Sequence, residues 1–184
     1  TIRPIAIGEF LRRLTCAIAA LSAKDASVDH FLPHQVVIAV PGGAEAVLLG
    51  THRLFKNHRA DPDYAAMSLD GSNAFCTADR RNILEEVQAV FPALARLAYF
   101  IYAGAALLFF GLHVLWSLLG THQGCNIGAL LFCLGIHKML QKAGVKVDYL
   151  VAYSDNITAL GKADQLAAAH RVFCAEGEPI GYRI

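Results

Sequence analysis

Residues 97–120, LAYFIYAGAALLFFGLHVLWSLLG, carry no charged side chain, and this run constrains the chain more than any other. Roughly 20 consecutive apolar residues are enough to cross the hydrocarbon core of a bilayer as a helix. Taken alone, the run is a transmembrane candidate, and a chain spanning at 97–120 would be a small membrane protein. Gly104, Gly111 and Gly120 interrupt it, however, and beyond Gly111 the polar His113 and Ser117 break the apolar sequence. Two buried strands joined by a turn at Gly111 have the same composition. The segment either spans lipid or folds into a protein interior, and the flanking residues have to decide.

At 184 residues the chain fits one domain with a sizeable core. Its 55% hydrophobic and 17% charged content excludes disorder. A formal charge of +1 gives no global attraction to polyanions, so a nucleic-acid partner would be held by local basic groups. Three clusters exist, Arg3 with Arg12 and Arg13, Arg53 with Lys56 and Arg59, and Arg80 with Arg81, and each reads first as a solvated helix face. Five cysteines without a CxxC pair argue against a disulfide framework or a zinc ribbon and for a reducing compartment. His30 and His34 have the i, i+4 spacing of a helical metal site, but Pro33 breaks the helix between them and no Glu adjoins His30. No initiator Met or signal-peptide layout is present, so an intracellular piece of a longer protein, in cytoplasm or nucleus, is expected.

Apolar periodicity predicts a helix over 9–24 with Phe10, Leu11, Leu14, Ile18 and Leu21 inward and its arginines outward. QVVIAV (35–40) reads as a short buried strand stopped by Pro41-Gly42-Gly43, followed by a helix over 44–58. YAAMSLD (64–70) is a strand ending on an acid. A helix over 77–92 follows, with Thr77 able to cap, Asp79 suited to the first turn and Pro92 closing it. Ile127, Leu130, Leu131 and Leu134 share one face of a helix over 126–144 that stops at Gly144. VDYLVAY and ITAL flank Ser154, Asp155 and Asn156 as a hairpin, and a last helix covers 162–177. Mixed strands and helices without repeats or linkers predict one α+β domain.

Asp70 and Asp155 both end strands. Singly, each reads as a strand meeting polar surface. If the strands share a sheet, the two carboxylates converge and repel one another unless a divalent cation lies between them. Magnesium fits such hard oxygen ligands, and two ions about 4 Å apart activate an attacking hydroxyl and steady a leaving pyrophosphate.

SLDGSNAF (68–75) resembles motif A of the reverse transcriptases of non-LTR retrotransposons, GTHQGCNIGALLF (120–132) resembles motif B, and AYSDNITALG (152–161) resembles motif C. RPIAIGEFLRRL (3–14) is similar to a fingers segment of that family and VPGGAEA (40–46) to a stretch between fingers and motif A. Order and spacing agree across nearly the whole chain. The resemblance implies a polymerase palm, a small antiparallel sheet packed on helices, with a fingers-like part at 1–64 and a palm-like part at 65–184. It puts 97–120 between motifs A and B, where the family has palm strands, and so favours burial over a membrane span.

The implied activity is RNA-directed DNA polymerisation, with an RNA or DNA template, a primer, deoxynucleoside triphosphates and two Mg2+ ions, Mn2+ being a possible substitute. By position, the resemblance makes Asp70 and Asp155 the metal-binding carboxylates, with Gly71 offering its carbonyl and Asn156 an amide oxygen. It puts Asn73, Ala74 and Phe75 at the nucleotide, the Phe75 ring under the sugar, where it excludes a 2′-hydroxyl. Gln123 and Gly124 lie against nucleotide and template, and Arg3 reaches the triphosphate or base. The sequence also departs from the family. Asn156 replaces the second Asp of motif C, Cys125 and Asn126 replace the Asp-Pro after Gln-Gly, and Ala129 replaces a proline. The tail GEPIGYRI ends before the lysine of motif D, and thumb and endonuclease are absent. A working palm and a decayed, non-catalytic remnant are the two readings these departures leave.

Overall fold

The computed structural model describes residues 5–184, which places Arg3 outside the described residues. Helix α1 (Phe10–Ser22) begins where the Glu9 carboxylate accepts the amides of Leu11 and Arg12, at 2.8 and 2.6 Å. Helices α2 (Lys24–Phe31) and α3 (Gly43–Asn57) precede strand β1 (Tyr64–Asp70). The stretch QVVIAV does not form the expected strand. It makes one parallel bridge, Gln35 to Ala152, before Ala39 turns the chain aside at φ 57°.

A short helix α4 (Ala74–Thr77) separates β1 from α5 (Arg80–Val90). Asp79 rather than Thr77 caps α5, accepting the Asn82 amide at 2.7 Å, while the Thr77 hydroxyl donates to the Gly181 carbonyl at 2.7 Å. Pro92 opens α6 (Pro92–Tyr102), where its missing N–H costs nothing. Strands β2 (Ala106–Phe110) and β3 (His113–Ser117) follow, then α7 (Gly128–Gly144), β4 (Tyr149–Tyr153), β5 (Asn156–Lys162), α8 (Ala163–Gly177) and a 3-10 turn over Glu178–Ile180.

β1, β5 and β4 form an antiparallel sheet in that order, with β5 in the middle. Leu69, Leu150, Ala152, Ile157 and Ala159 share one face and join the main hydrophobic core. Helices α7 and α8 pack on the sheet, as does α3. The mixed α+β architecture, a small antiparallel sheet on helices, is the expected one. Helix α7 is its axis and is more than amphipathic, since Leu131, Phe132, Cys133, Ile136, Met139 and Leu140 are all buried. It lies close against α5, where the Asn82 amide donates to the Gly135 carbonyl at 2.9 Å.

The uncharged run divides between the end of α6 and the β2–β3 hairpin, which turns at Gly111 with φ 60°. Among the described residues no helix is long and apolar enough to cross a membrane. The turn at Gly111 and a strand on either side of it are as expected, but 97–102 is helical and the strands are not buried. Phe109, Phe110, Leu112 and Trp116 are exposed, because β2 and β3 pair only with each other as a separate sheet with no helix laid over it. α1 is inverted in the same way. Phe10, Leu11, Leu14, Ile18 and Leu21 are exposed, and Cys16 is the buried residue of the helix.

Arg80, read from sequence as part of a solvated face, is only 6% exposed. Its guanidinium donates to the carbonyls of Gly120 at 2.9 Å, Ser117 at 2.9 Å and Gly104 at 3.2 Å, and to the Ser117 hydroxyl at 2.7 Å. The same group lies over the Tyr102 ring, 5.3 Å from its centroid. Replacing Arg80 by Met removes the guanidinium's hydrogen bonds to three backbone carbonyls. Arg80→Met is expected to lower stability by about 2 to 3 kcal/mol in urea unfolding, the usual cost of stranding buried acceptors.

Among the described residues no group of three or more His, Cys, Asp or Glu is placed to hold an ion. The His30 ring packs on Phe91 and on His137, whose ring centroid is 4.7 Å away. His137 is buried, and burial, followed by the neighbouring His30 and His34, pushes its pKa down to about 4. The unfolded chain titrates this group near 6.5, so between about 6.5 and 4 it binds a proton that the native chain refuses. Stability is therefore full above pH 6.5 and falls as the pH drops toward 4. His137→Leu is expected to reduce that fall by the share this group contributes, measured as urea midpoints at pH 7 and 4.5.

Candidate active site

β1 delivers Asp70 to the end of the sheet, directly opposite Asn156 in the β1–β5 ladder. Asp155 occupies the two-residue turn between β4 and β5, and Ser154 before it has φ 63°, the positive value that tight hairpin turns require. The Gly71 amide donates to the Asp155 carbonyl at 3.3 Å, joining the two tips. Asp70 is exposed and Asp155 buried. Asp70, Gly71, Asp155 and Asn156 are thus brought together.

Two residues that sequence reasoning did not single out brace this tip. The Tyr182 hydroxyl donates to the Asp155 carbonyl at 2.8 Å, and its ring sits so close to Gly71 that a Cβ there would come within 2.6 Å of ring carbon Cε2. Burial raises the Tyr182 pKa, and the charges of Asp155 and then Asp70 raise it further, so both carboxylates act on one phenol. Gln35 is fully buried, and its amide donates to the Ser154 carbonyl at 2.8 Å while accepting the Ser154 N–H at 3.1 Å. The signal for Gln35 was its position, a polar residue opening an apolar run. Nothing in the spacing of GEPIGYRI marks Tyr182.

Asn73 adopts a left-handed conformation, φ 53°, at the start of α4, and Ala74 behind it is buried. Phe75 stacks on Phe132 with centroids 4.2 Å apart. The loop before α7 runs along α4, its Gly120 and Thr121 amides donating to the carbonyls of Ala78 at 2.8 Å and Phe75 at 2.7 Å. Gln123 and Gly124 lie partly buried on this loop. A Cβ on Gly124 would collide with the Ala6 carbonyl, so the N-terminal segment passes directly over it.

Beside this loop lies a polar knot. Arg12 can only donate, so its 2.9 Å bond makes His122 Nδ1 an acceptor, and the imidazole proton then lies on Nε2, facing the Ser117 hydroxyl at 3.0 Å. Burial, followed by Arg12 and Arg80, pushes the His122 pKa down to about 4 and keeps the ring neutral. Neither acid lines the cavities of about 350 Å3 beside His52, Phe55, Lys56 and Arg59 or about 330 Å3 beside Glu9, Arg12 and Phe100. The acids stand at the open end of the sheet.

No family model matches the chain, and no curated protein sequence matches it. Its fold does match solved structures. The apo telomerase of Candida tropicalis truncated from its C-terminal domain aligns with a TM-score of 0.61 and 12% identity over 94% of this chain. The apo telomerase of the same organism aligns with a TM-score of 0.61 and 12% identity over 96% of it. The chain covers 38% and 35% of those two chains. Such identity speaks to fold alone. The chain has a distant reverse-transcriptase-like polymerase fold.

Gln35→Leu keeps the side-chain volume and strands both Ser154 backbone groups. A loss of about 2 kcal/mol is expected. Amide exchange at Ser154 should accelerate by more than global destabilisation accounts for, which separates a braced turn from a merely filled core site.

Proposed function

We propose that the chain is the fingers-palm part of a reverse transcriptase of the non-LTR retrotransposon type, fingers-like over 1–64 and palm-like over 65–184. Its reaction would be templated transfer of a deoxynucleotide to a primer 3′-hydroxyl. The observation that carries this reading is the meeting of Asp70 and Asp155 on adjacent strand ends. The order of the A-, B- and C-like segments and the polymerase-like fold support it.

The donors fit magnesium by chemistry. Asp70 and Asp155 supply carboxylates, the Gly71 carbonyl and the Asn156 amide supply neutral oxygens, and among the described residues neither acid is held in an ion pair. Bound there, magnesium would lower the pKa of the primer hydroxyl and neutralise charge developing on the phosphates. Tyr182 and Gln35 fix the backbone of the Asp155 turn before substrate arrives. Phe75 would face the sugar and exclude a 2′-hydroxyl, with Asn73 and Ala74 shaping the turn beneath it. Gln123 and Gly124 would lie against the nucleotide and template strand, and Arg3 would reach the triphosphate.

Asn156 favours a second reading, a non-catalytic remnant that retains the fold and binds nucleic acid weakly. With Asn in that place the pair of acids has no third carboxylate beside it. One experiment separates the readings. Primer extension with magnesium or manganese is expected in the wild type, abolished by Asp70→Ala and increased by Asn156→Asp. Extension that survives Asp70→Ala would sink the site assignment. A wild type inert with both metals, together with an Asn156→Asp variant that gains nothing, would establish the remnant. Manganese-induced broadening of the Asp155 and Asn156 amide resonances reports metal binding without reference to turnover.

A further inference from the structure

Three contacts join the N-terminal segment to the loop that carries Gln123 and Gly124. The Ala6 carbonyl packs over the Gly124 Cα, Arg12 donates to His122, and the Sγ atoms of Cys16 and Cys125 stand 3.9 Å apart. The third can become covalent. We propose that Cys16 and Cys125 are a modification site, a thiol pair that a disulfide oxidant closes into a bond clamping α1 onto this loop.

Geometry and access both support the pair. A disulfide holds its sulfurs about 2.05 Å apart, so closure asks for an approach of about 1.9 Å, within reach of side-chain rotation and a small shift of the loop. Cys16 is the buried residue by which α1 attaches to the core, so a bond at that point acts on the helix where it already packs. Cys125 is half-buried and offers the entry point. Burial and the neighbouring Cys125 push the Cys16 thiol up to about 12, which orders the two steps. The Cys125 thiolate attacks a low-molecular-weight disulfide such as oxidised glutathione, forming a mixed disulfide and releasing one glutathione thiol. Cys16 then attacks the Cys125 sulfur, its thiol proton passing to the departing sulfur, which leaves as the second glutathione thiol. Two protein thiols are oxidised, one glutathione disulfide is reduced, and no further electron acceptor is needed. In a reducing compartment the pair rests open.

The pairing stands on this geometry alone, and its bearing on nucleotide binding rests on the reading of Gln123 and Gly124 above. The test is therefore read on thiols and not on polymerisation. The full chain is incubated natively with excess oxidised glutathione, its remaining thiols are alkylated, and it is mapped by mass spectrometry after proteolysis. The expected result is one Cys16–Cys125 cross-linked peptide with two thiols lost per chain, both restored by dithiothreitol. Cys16→Ser and Cys16→Ala should each stall as a glutathione adduct on Cys125, and amide exchange in α1 and in 120–127 should slow in the linked chain. A lasting Cys125 adduct in the wild type, a link through Cys76, Cys133 or Cys174, no loss of thiols, or unchanged exchange in α1 would each overturn the proposal. The wild-type map decides even where a variant fails to fold.

Discussion

A buried guanidinium with no acidic partner among the described residues holds the middle of this chain together. Arg80 comes from the first turn of α5, yet its donors reach the carbonyls of Gly104, Ser117 and Gly120, which lie at the start of the hairpin, its end and the entrance to the loop before α7. Burial without a carboxylate lowers its pKa, but several carbonyl dipoles and the face of Tyr102 replace the lost water. The charge is tolerable because its surroundings are preoriented. The consequence is geometric. The uncharged hairpin is fastened at both ends, and the loop bearing Gln123 and Gly124 starts from a fixed point. Ser117 takes part twice, accepting from Arg80 and facing His122, so the knot extends through Arg12 to α1.

The acid tip is organised on the same principle, by backbone contacts more than by charge. Gln35 satisfies both groups of Ser154, Tyr182 satisfies the carbonyl of Asp155, and Gly71 gives way to the Tyr182 ring because it has no Cβ. The Ser72 amide donates to the Arg183 carbonyl at 2.6 Å, which draws the end of the chain across the loop after β1. Tail, hairpin and β1 therefore converge on one point from three distant parts of the sequence. The tail matters here as a brace, a role separate from any lysine further along the chain.

What could be read in advance follows from the range of each interaction. β1 over 64–70, the hairpin turn at Ser154 and Asp155 and the stop at Gly144 rest on local periodicity and turn chemistry, and these the residues state directly. Gln35 reaches Ser154 across 119 positions, and Arg80 reaches Ser117 across 37, so no local pattern reports them. Direction of burial failed for a related reason. The apolar spacing of α1 and the composition of 97–120 predict the kind of element, but which face meets the core depends on what else is near. In α1 the core accepts Cys16 and Arg12 turns toward His122, which leaves Phe10, Leu14 and Ile18 outside.

Asn156 can be weighed in the same terms. It lies directly across the ladder from Asp70 and next in sequence to Asp155, so an aspartate there would put three anions at one strand end with no ion pair among the described residues to offset them. Like charges at such separations repel, and the repulsion falls on the native state alone. The exposed amide removes it while keeping one acceptor oxygen. An amide at 156 therefore spares the tip a like-charge repulsion, and it does so where Gln35 and Tyr182 brace only backbone and leave the side chains to balance their own charge.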